Sequence, residues 1–326
     1  MTGLYTSARF FARHGDAISA IEQATGATFE RIPVPDEDQL DPAAVERIEI
    51  AFFANDLINA GPVTRRFFGA VRRAPNLRWI HAAHAGTDAP VYQELLAKGV
   101  RVTTSSGDAA VPIAQTAIGA LLMLARGYPR WLDAQRRHAW EPHRGRLPRD
   151  LEGQVMIVIG VGAIGNEVAR LARALGMHVI GVRRSPQRPE DHVDEMHPPA
   201  ALSALYPRAD WVAIACPLTP ETRGLIDAAA IAALPEGARV LNVARGEVVD
   251  EAALTAALAE GRLAGAYLDV FHEEPLPADS PLWDLPNVIV TPHNSSTSAG
   301  YGERTVRRYL RNLEHWVRGE PLEQEV

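Results

Sequence analysis

Along this chain, short apolar runs alternate with stretches whose apolar residues recur at helical spacing. In the first hundred residues, runs at 28–34, Ile48 to Ala54, Leu77 to Ala82 and Val100 to Thr104 predict strands. Periodic stretches at 7–24, 63–73 and 90–98 predict helices among them. A long apolar helix, AAVPIAQTAIGALLMLAR, is predicted from Ala109 to Arg126 and would open a second domain. Segment 128–152 is rich in Pro, Arg, His and Trp and weakly periodic; a partner-contacting arm and a solvated connection both fit it. Beyond it the pattern sharpens. Val155 to Ile159 predicts a buried strand, followed by a Gly-rich turn, a helix through Leu175 and a strand from His178 to Val182. Further strands are predicted at 210–215, 239–243, 264–270 and 287–291, with helices between them. Such alternation builds parallel sheets with helices on their faces.

Composition narrows the function. A length of 326 residues suggests two domains, and a net charge of −7 lacks the basic footprint of a nucleic-acid binder. No apolar run reaches the length of a membrane span, and MTGLYTSARF does not read as a signal peptide, so a cytoplasmic protein without a membrane partner is expected. One cysteine, Cys216, allows no internal disulfide and no Cys-rich metal site; no metal is expected, and the thiol reads as packing. Lys98 is the only lysine, which leaves imine chemistry almost without a candidate, and a Walker A loop is absent.

Candidate chemistry lies in the second half. Gly160-Val161-Gly162-Ala163-Ile164-Gly165 matches G-x-G-x-x-G between a predicted strand and helix, the context in which glycines let a pyrophosphate approach a helix N-terminus. An NAD site places a carboxylate at the end of the next strand; here the residues are Arg183-Arg184-Ser185. Two guanidinium groups and a hydroxyl suit a 2′-phosphate, so NADP(H) is the expected cofactor, with NAD(H) possible; a pair of solvated arginines is the plainer alternative. Three more strands each end near a charged or titratable residue: Arg245 after Leu241-Asn242-Val243-Ala244, Asp269 and Glu274 after Leu268, and His293 after Thr291-Pro292. Arginine binds carboxylates bidentately, histidine transfers protons near neutral pH, and a neighbouring glutamate can orient it.

The segments VIGVGAIG, CPLTPETRGLI, LNVARGEVVDEAAL, LAGAYLDVFHEEPLP with SPLW, and NVIVTPH resemble the D-isomer-specific 2-hydroxyacid dehydrogenase family, including its glyoxylate/hydroxypyruvate reductase-like members. LRWIHAAHAGTD is the best match in the N-terminal third. The resemblance implies two doubly wound parallel-sheet α/β domains: a Rossmann cofactor domain, 106–295, inserted in a flavodoxin-like substrate domain, 1–105 with 296–326. It implies a hydride transfer between NADP(H) and a small 2-keto or 2-hydroxy acid, and a homodimer formed through the cofactor domain. By motif, Arg245 would hold the substrate carboxylate and polarise its keto group. His293 would be the acid–base group, paired with Glu274. Asp269 would contact the nicotinamide carboxamide, and Val243 and Ala244 would lie near that ring. Ala163 and Ile164 would lie at the pyrophosphate turn, and Ala85 and Gly86 at the substrate carboxylate. Asn294-Ser295-Ser296 departs from the family pattern, and His84 is larger than usual at its place. Trp140 is expected at an interface. A dinucleotide-sensing corepressor shares this fold; presence of Arg245, Glu274 and His293 favours the enzyme.

Overall fold

The computed structural model describes residues 1–58, 60–87, 89–144 and 147–326. Asp88, at the end of LRWIHAAHAGTD, and Gly145 and Arg146, within 128–152, lie outside them. The chain divides into one unit of Met1–Asp108 with Ser298–Val326 and another of Ala109–Thr297.

In the first unit, β1 (Thr2–Thr6), β2 (Phe29–Pro33), β3 (Ile48–Phe53), β4 (Trp79–Ala82) and β5 (Arg101–Thr104) form a parallel sheet ordered β2-β1-β3-β4-β5, the flavodoxin-like winding. The β1 strand was not among the predicted ones. Its sequence, TGLYT, is short and has little apolar character, yet Gly3 is needed there: a Cβ would stand 1.9 Å from the Arg47 carbonyl oxygen. Helix Ala8–Thr25 starts where the Ser7 hydroxyl accepts from the Phe10 N–H at 3.0 Å and stops at Gly26, at φ 73°. The late helix Tyr301–Arg318 completes this unit. Tyr309 stacks on Phe52 at 4.1 Å, Trp316 stacks on Trp79 at 5.5 Å, and Arg308 pairs with buried Asp108 at 2.5 Å. Inside the same core, His81 is fully buried between Thr103 (2.7 Å) and Ser105 (3.2 Å), and burial pushes its imidazole down to about 3.

In the second unit, β6 (Val155–Ile159), β7 (His178–Val182), β8 (Glu195–His197), β9 (Trp211–Ile214), β10 (Arg239–Asn242), β11 (Gly265–Leu268) and β12 (Val288–Val290) form a parallel sheet ordered β12-β11-β10-β9-β6-β7-β8. Strands β7 and β8 run out one way from β6 and the chain then crosses back to β9, which is the Rossmann winding. The edge strand β8 was also not predicted; EMH is too short and polar to signal itself. Ligands of such sheets bind at the carboxyl ends of the strands, at the point where the winding reverses. Helix Ala110–Arg126 is largely buried against helix Ala163–Ala174 and β11, and Tyr128–Arg136 follows after a 75° bend. Among the described residues no single helix is long and apolar enough to cross a membrane.

Candidate active site

The Gly-rich turn sits at the winding reversal, between the ends of β6 and β9. Gly160 adopts φ 94°, and a Cβ there would stand 2.6 Å from the Cys216 backbone. A Cβ on Gly165 would stand 2.0 Å from the Gly160 carbonyl oxygen, so helix Ala163–Ala174 can seat on the strand only with glycine at that place. Gly162, just before the helix, has open space where its Cβ would be. The turn is thus packed from behind and open in front, with the helix N-terminus and the Ala163 and Ile164 backbone beside the opening, a shape that fits a pyrophosphate. Cys216 is packed into the wall of this turn, and burial pushes its thiol up to about 11.

At the end of β7 the two arginines diverge. Arg183 donates to both Asp191 carboxylate oxygens at 3.0 and 2.7 Å and to the carbonyl oxygens of Val161 (2.8 Å), Ser185 (3.3 Å) and Pro186 (2.6 Å). Burial alone would raise the Asp191 carboxyl, but Arg183 and the Arg188 N–H outweigh it and hold the group below its ordinary value. Arg183, expected at a 2′-phosphate, thus has its guanidinium hydrogen-bonded inside the protein. Arg184 is exposed, and neither its N–H nor that of Ser185 has an acceptor among the described residues.

The remaining candidates follow three neighbouring strands. After β10, the buried Asn242 side chain accepts from the Ala244 N–H and donates to the Arg245 carbonyl, both at 3.0 Å, which bends Val243-Ala244-Arg245 into a short braced loop. After β11 comes Asp269, and after β12 His293. The His293 Nδ1 lies 2.7 Å from Glu274 Oε2, while Glu274 Oε1 accepts from the Phe271 N–H at 3.0 Å. An ionised carboxylate only accepts, so Nδ1 carries the proton of that bond and Nε2, without a partner among the described residues, faces outward. His293 sits at φ 50°, a conformation L residues rarely adopt, held by its N–H on the Asp269 carbonyl at 2.8 Å.

Asp269 explains that conformation. Its buried carboxylate accepts from Thr291 Oγ1 (2.6 Å), the Asn294 N–H (3.0 Å), the Ser295 N–H (3.2 Å) and the Ser295 hydroxyl. Asp269, expected at the nicotinamide carboxamide, thus has its carboxylate hydrogen-bonded to the loop that presents His293. Of these donors, the Ser295 hydroxyl is the one that the departure from the family pattern supplies. Sequence reasoning missed Asn242, Thr291 and Asp191 in these supporting roles; an Asn or Thr at a strand end before a tight turn was the available signal for the first two. Ala85 and Gly86 lie in the first unit, after β4. There His84 turns toward Tyr92, with Nε2 3.0 Å from the phenol oxygen. A cavity of about 530 Å³ in the second unit, lined by Gln154, Asp210, Gly237 and Arg239, opens at the amino ends of the strands, away from all of these groups.

The sequence pattern described as the D-isomer specific 2-hydroxyacid dehydrogenase NAD binding domain matches residues 118–295. A D-3-phosphoglycerate dehydrogenase of Methanocaldococcus jannaschii is 32% identical over 96% of this chain, which spans 57% of that protein's length. The chain belongs to the D-isomer specific 2-hydroxyacid dehydrogenase family. Within this family, a glyoxylate reductase of Korarchaeum cryptofilum is 34% identical over 79% of this chain and 78% of its own. A family member from Xanthobacter autotrophicus, solved with NADPH and MES, is 33% identical, covers 100% of this chain and 98% of its own, and superposes with a TM-score of 0.76. The family consists of oxidoreductases that act on CH–OH donors with NAD(P).

Proposed function

We propose that this family member reduces a small 2-keto acid, of the glyoxylate or hydroxypyruvate kind, with NADPH. The observation that carries the reading is the His293–Glu274 pair at 2.7 Å, which joins the segments after β12 and β11, with Arg245 after β10, the next strand in the sheet. Arg245 binds the substrate carboxylate and stabilises charge developing on the keto oxygen. As the imidazolium, with Nδ1–H held by the Glu274 carboxylate, His293 donates the Nε2 proton to that oxygen in reduction; the neutral Nδ1–H tautomer left behind takes a proton at Nε2 in oxidation. The Gly160–Gly165 turn holds the pyrophosphate, with Ala163 and Ile164 contributing backbone, and Val243 and Ala244 line the nicotinamide side. Bound there, the reduced nicotinamide supplies the hydride for the keto carbon. The substrate-carboxylate role of Ala85 and Gly86 rests on the family resemblance alone. Support for NADPH comes from the absence of a carboxylate at the end of β7, the exposed Arg184, and the NADPH bound by the Xanthobacter relative.

The reading extends to a homodimer through the second unit. Val111, Leu122, Tyr128, Leu132, Trp140 and Leu147 are exposed large apolar residues within one stretch of chain, with Trp140 96% exposed. Exposed apolar residues gathered along one stretch of chain favour a second copy as their cover. A solution mass of twice 35.4 kDa by light scattering is expected, and a monomer that persists at high concentration would refute it. A cytoplasmic location belongs to the same reading, as does the lack of nucleic-acid or membrane partners.

The test of the reaction is oxidation of NADPH, and separately NADH, with glyoxylate, hydroxypyruvate, pyruvate and phenylpyruvate, with His293→Ala as control. Turnover with NADPH above NADH, lost in the variant, supports it. Better use of NADH overturns the cofactor, and cofactor binding without turnover on any keto acid points to the corepressor-like alternative.

A further inference from the structure

Adjacent arginines at the end of a Rossmann strand look interchangeable in the sequence, but their surroundings differ in kind. The Arg183 side chain is 15% exposed and the Asp191 side chain 3%, so the ion pair is enclosed. Besides Asp191, Arg183 reaches the carbonyl oxygen of Val161, which lies between the first two glycines of the dinucleotide turn, and those of Ser185 and Pro186 in the loop after β7. One side chain thereby ties the pyrophosphate turn to the loop that flanks the adenosine ribose in this winding. Asp191 in turn accepts from the Arg188 N–H at 2.7 Å, which anchors the far end of that loop. Every N–H direction of a planar guanidinium fork that meets an acceptor inside the protein is withdrawn from a ligand.

We propose that Asp191 is a positioning residue of the cofactor site: it holds Arg183 as a strut against the dinucleotide turn, and leaves Arg184, with the N–H groups of Arg184 and Ser185, to meet the adenosine 2′-phosphate. The strut serves both cofactors, because it shapes the turn that binds the pyrophosphate common to them. Discrimination lies one residue later. Arg184 adds an exposed positive charge, and beside it are two N–H groups without acceptors among the described residues, donors of the kind that bind anions. The neutralised Arg183–Asp191 pair contributes little net charge at the phosphate. This inference rests on the NADPH reading for the identity of the phosphate, but the role of the strut does not.

The experiment measures dissociation constants of NADPH and NADH by fluorescence titration on the full chain. Wild type is compared with Arg184→Ala and with the charge-balanced double variant Arg183→Met/Asp191→Asn, and thermal unfolding is followed in parallel. Arg184→Ala is expected to weaken NADPH roughly 10- to 100-fold and to leave NADH within about twofold, as befits loss of a charged hydrogen-bond partner. The double variant is expected to weaken both cofactors by a common factor, with their ratio unchanged. Loss of NADPH alone in the double variant would make Arg183 the phosphate ligand and overturn the proposal, as would no change in either constant. If the double variant does not fold, Asp191→Asn decides. Freeing the Arg183 charge should then shift the binding ratio further toward NADPH, and Asp191→Glu should restore the wild-type ratio; an unchanged or lowered ratio in Asp191→Asn overturns the proposal. A wild type that binds NADH as tightly as NADPH would refute the cofactor preference while leaving the NADH arm of the double variant to test the strut.

Discussion

Replacing Asp269 with asparagine should damage catalysis more than cofactor binding. The carboxylate takes hydrogen bonds from Thr291 Oγ1, the N–H groups of Asn294 and Ser295, and the Ser295 hydroxyl, all within the loop that carries His293. An asparagine of the same shape keeps one acceptor oxygen and turns the other into an N–H donor. The Ser295 hydroxyl can rotate to accept from it, but the backbone N–H groups cannot. One or two hydrogen bonds to a charged acceptor are therefore lost, about 2–4 kcal/mol at roughly 1.5–3 kcal/mol each, with part regained by the neutral oxygen. Those bonds oppose the strain of His293 at φ 50°, itself on the order of 1–3 kcal/mol for a non-glycine residue. Weakening them lets the histidine relax and part from Glu274. If the whole difference falls on the loop, kcat/KM drops roughly 30- to 1000-fold. The glycine turn is untouched, so NADPH affinity should stay within a few-fold. Steady-state kinetics with a keto acid and NADPH, together with cofactor titration and urea unfolding, read all three quantities. A kcat/KM within threefold of wild type would refute the argument, and so would a large loss of NADPH affinity with kcat preserved, since the carboxylate would then be working on the cofactor.

Other expectations follow from single contacts. His293→Ala should lower kcat by roughly 10²- to 10⁴-fold with little change in NADPH affinity, the range for a lost general acid, and Glu274→Gln should fall between it and wild type; an unchanged kcat in the first would remove His293 from the reaction. Burial lowers the His81 imidazole from 6.5 to about 3 in the folded chain, so stability is complete above the unfolded value and declines as the pH falls between the two. From pH 7 to 5 that group alone should cost about 2 kcal/mol, and urea titrations of wild type and His81→Gln should diverge by that amount; parallel curves would contradict it. Asp108→Ala leaves Arg308, which has a 14% exposed side chain, with Glu323 at 2.8 Å as its remaining partner, and should destabilise the chain by about 2 kcal/mol in urea unfolding; a loss below about 0.5 kcal/mol would show the pair to be dispensable.

How much of this was legible in the sequence depended on whether the signal was local. The glycine turn, the strand before it and the helix after it are one contiguous pattern, and Gly160 and Gly165 make the tight turn and the close helix packing that the pattern assigns. The strands of VMIVI or IEIAFF announce themselves because both faces of a parallel sheet are covered. By contrast, TGLYT gains its place in the middle of a sheet from neighbours that come much later in the chain, and EMH from pairing with β7. At the site, Arg245, Glu274 and His293 stand out because a charge after an apolar run is a local signal. The occupation of Arg183 is not, since it depends on where a loop eight residues long turns Asp191. Nor could the sequence show that Asp269 meets donors more than twenty residues further on; Asn294 and Ser295, which the sequence marked only as a departure from the family pattern, are among its hydrogen-bond partners.

The split first unit has a consequence for the order in which the molecule is made. Among the described residues, Phe52 and Trp79 find their stacking partners only in Tyr309 and Trp316, and Asp108 its counter-ion only in Arg308. All of Ala109–Thr297 is synthesised before that helix emerges. At about 5–20 residues per second, the early strands wait on the order of ten seconds or more with an aromatic face uncovered, while the second unit can already close its sheet. The part that is translated first is therefore the part that matures last, and a ribosome stalled before residue 301 would hold out a finished nucleotide-binding fold beside a half-built one.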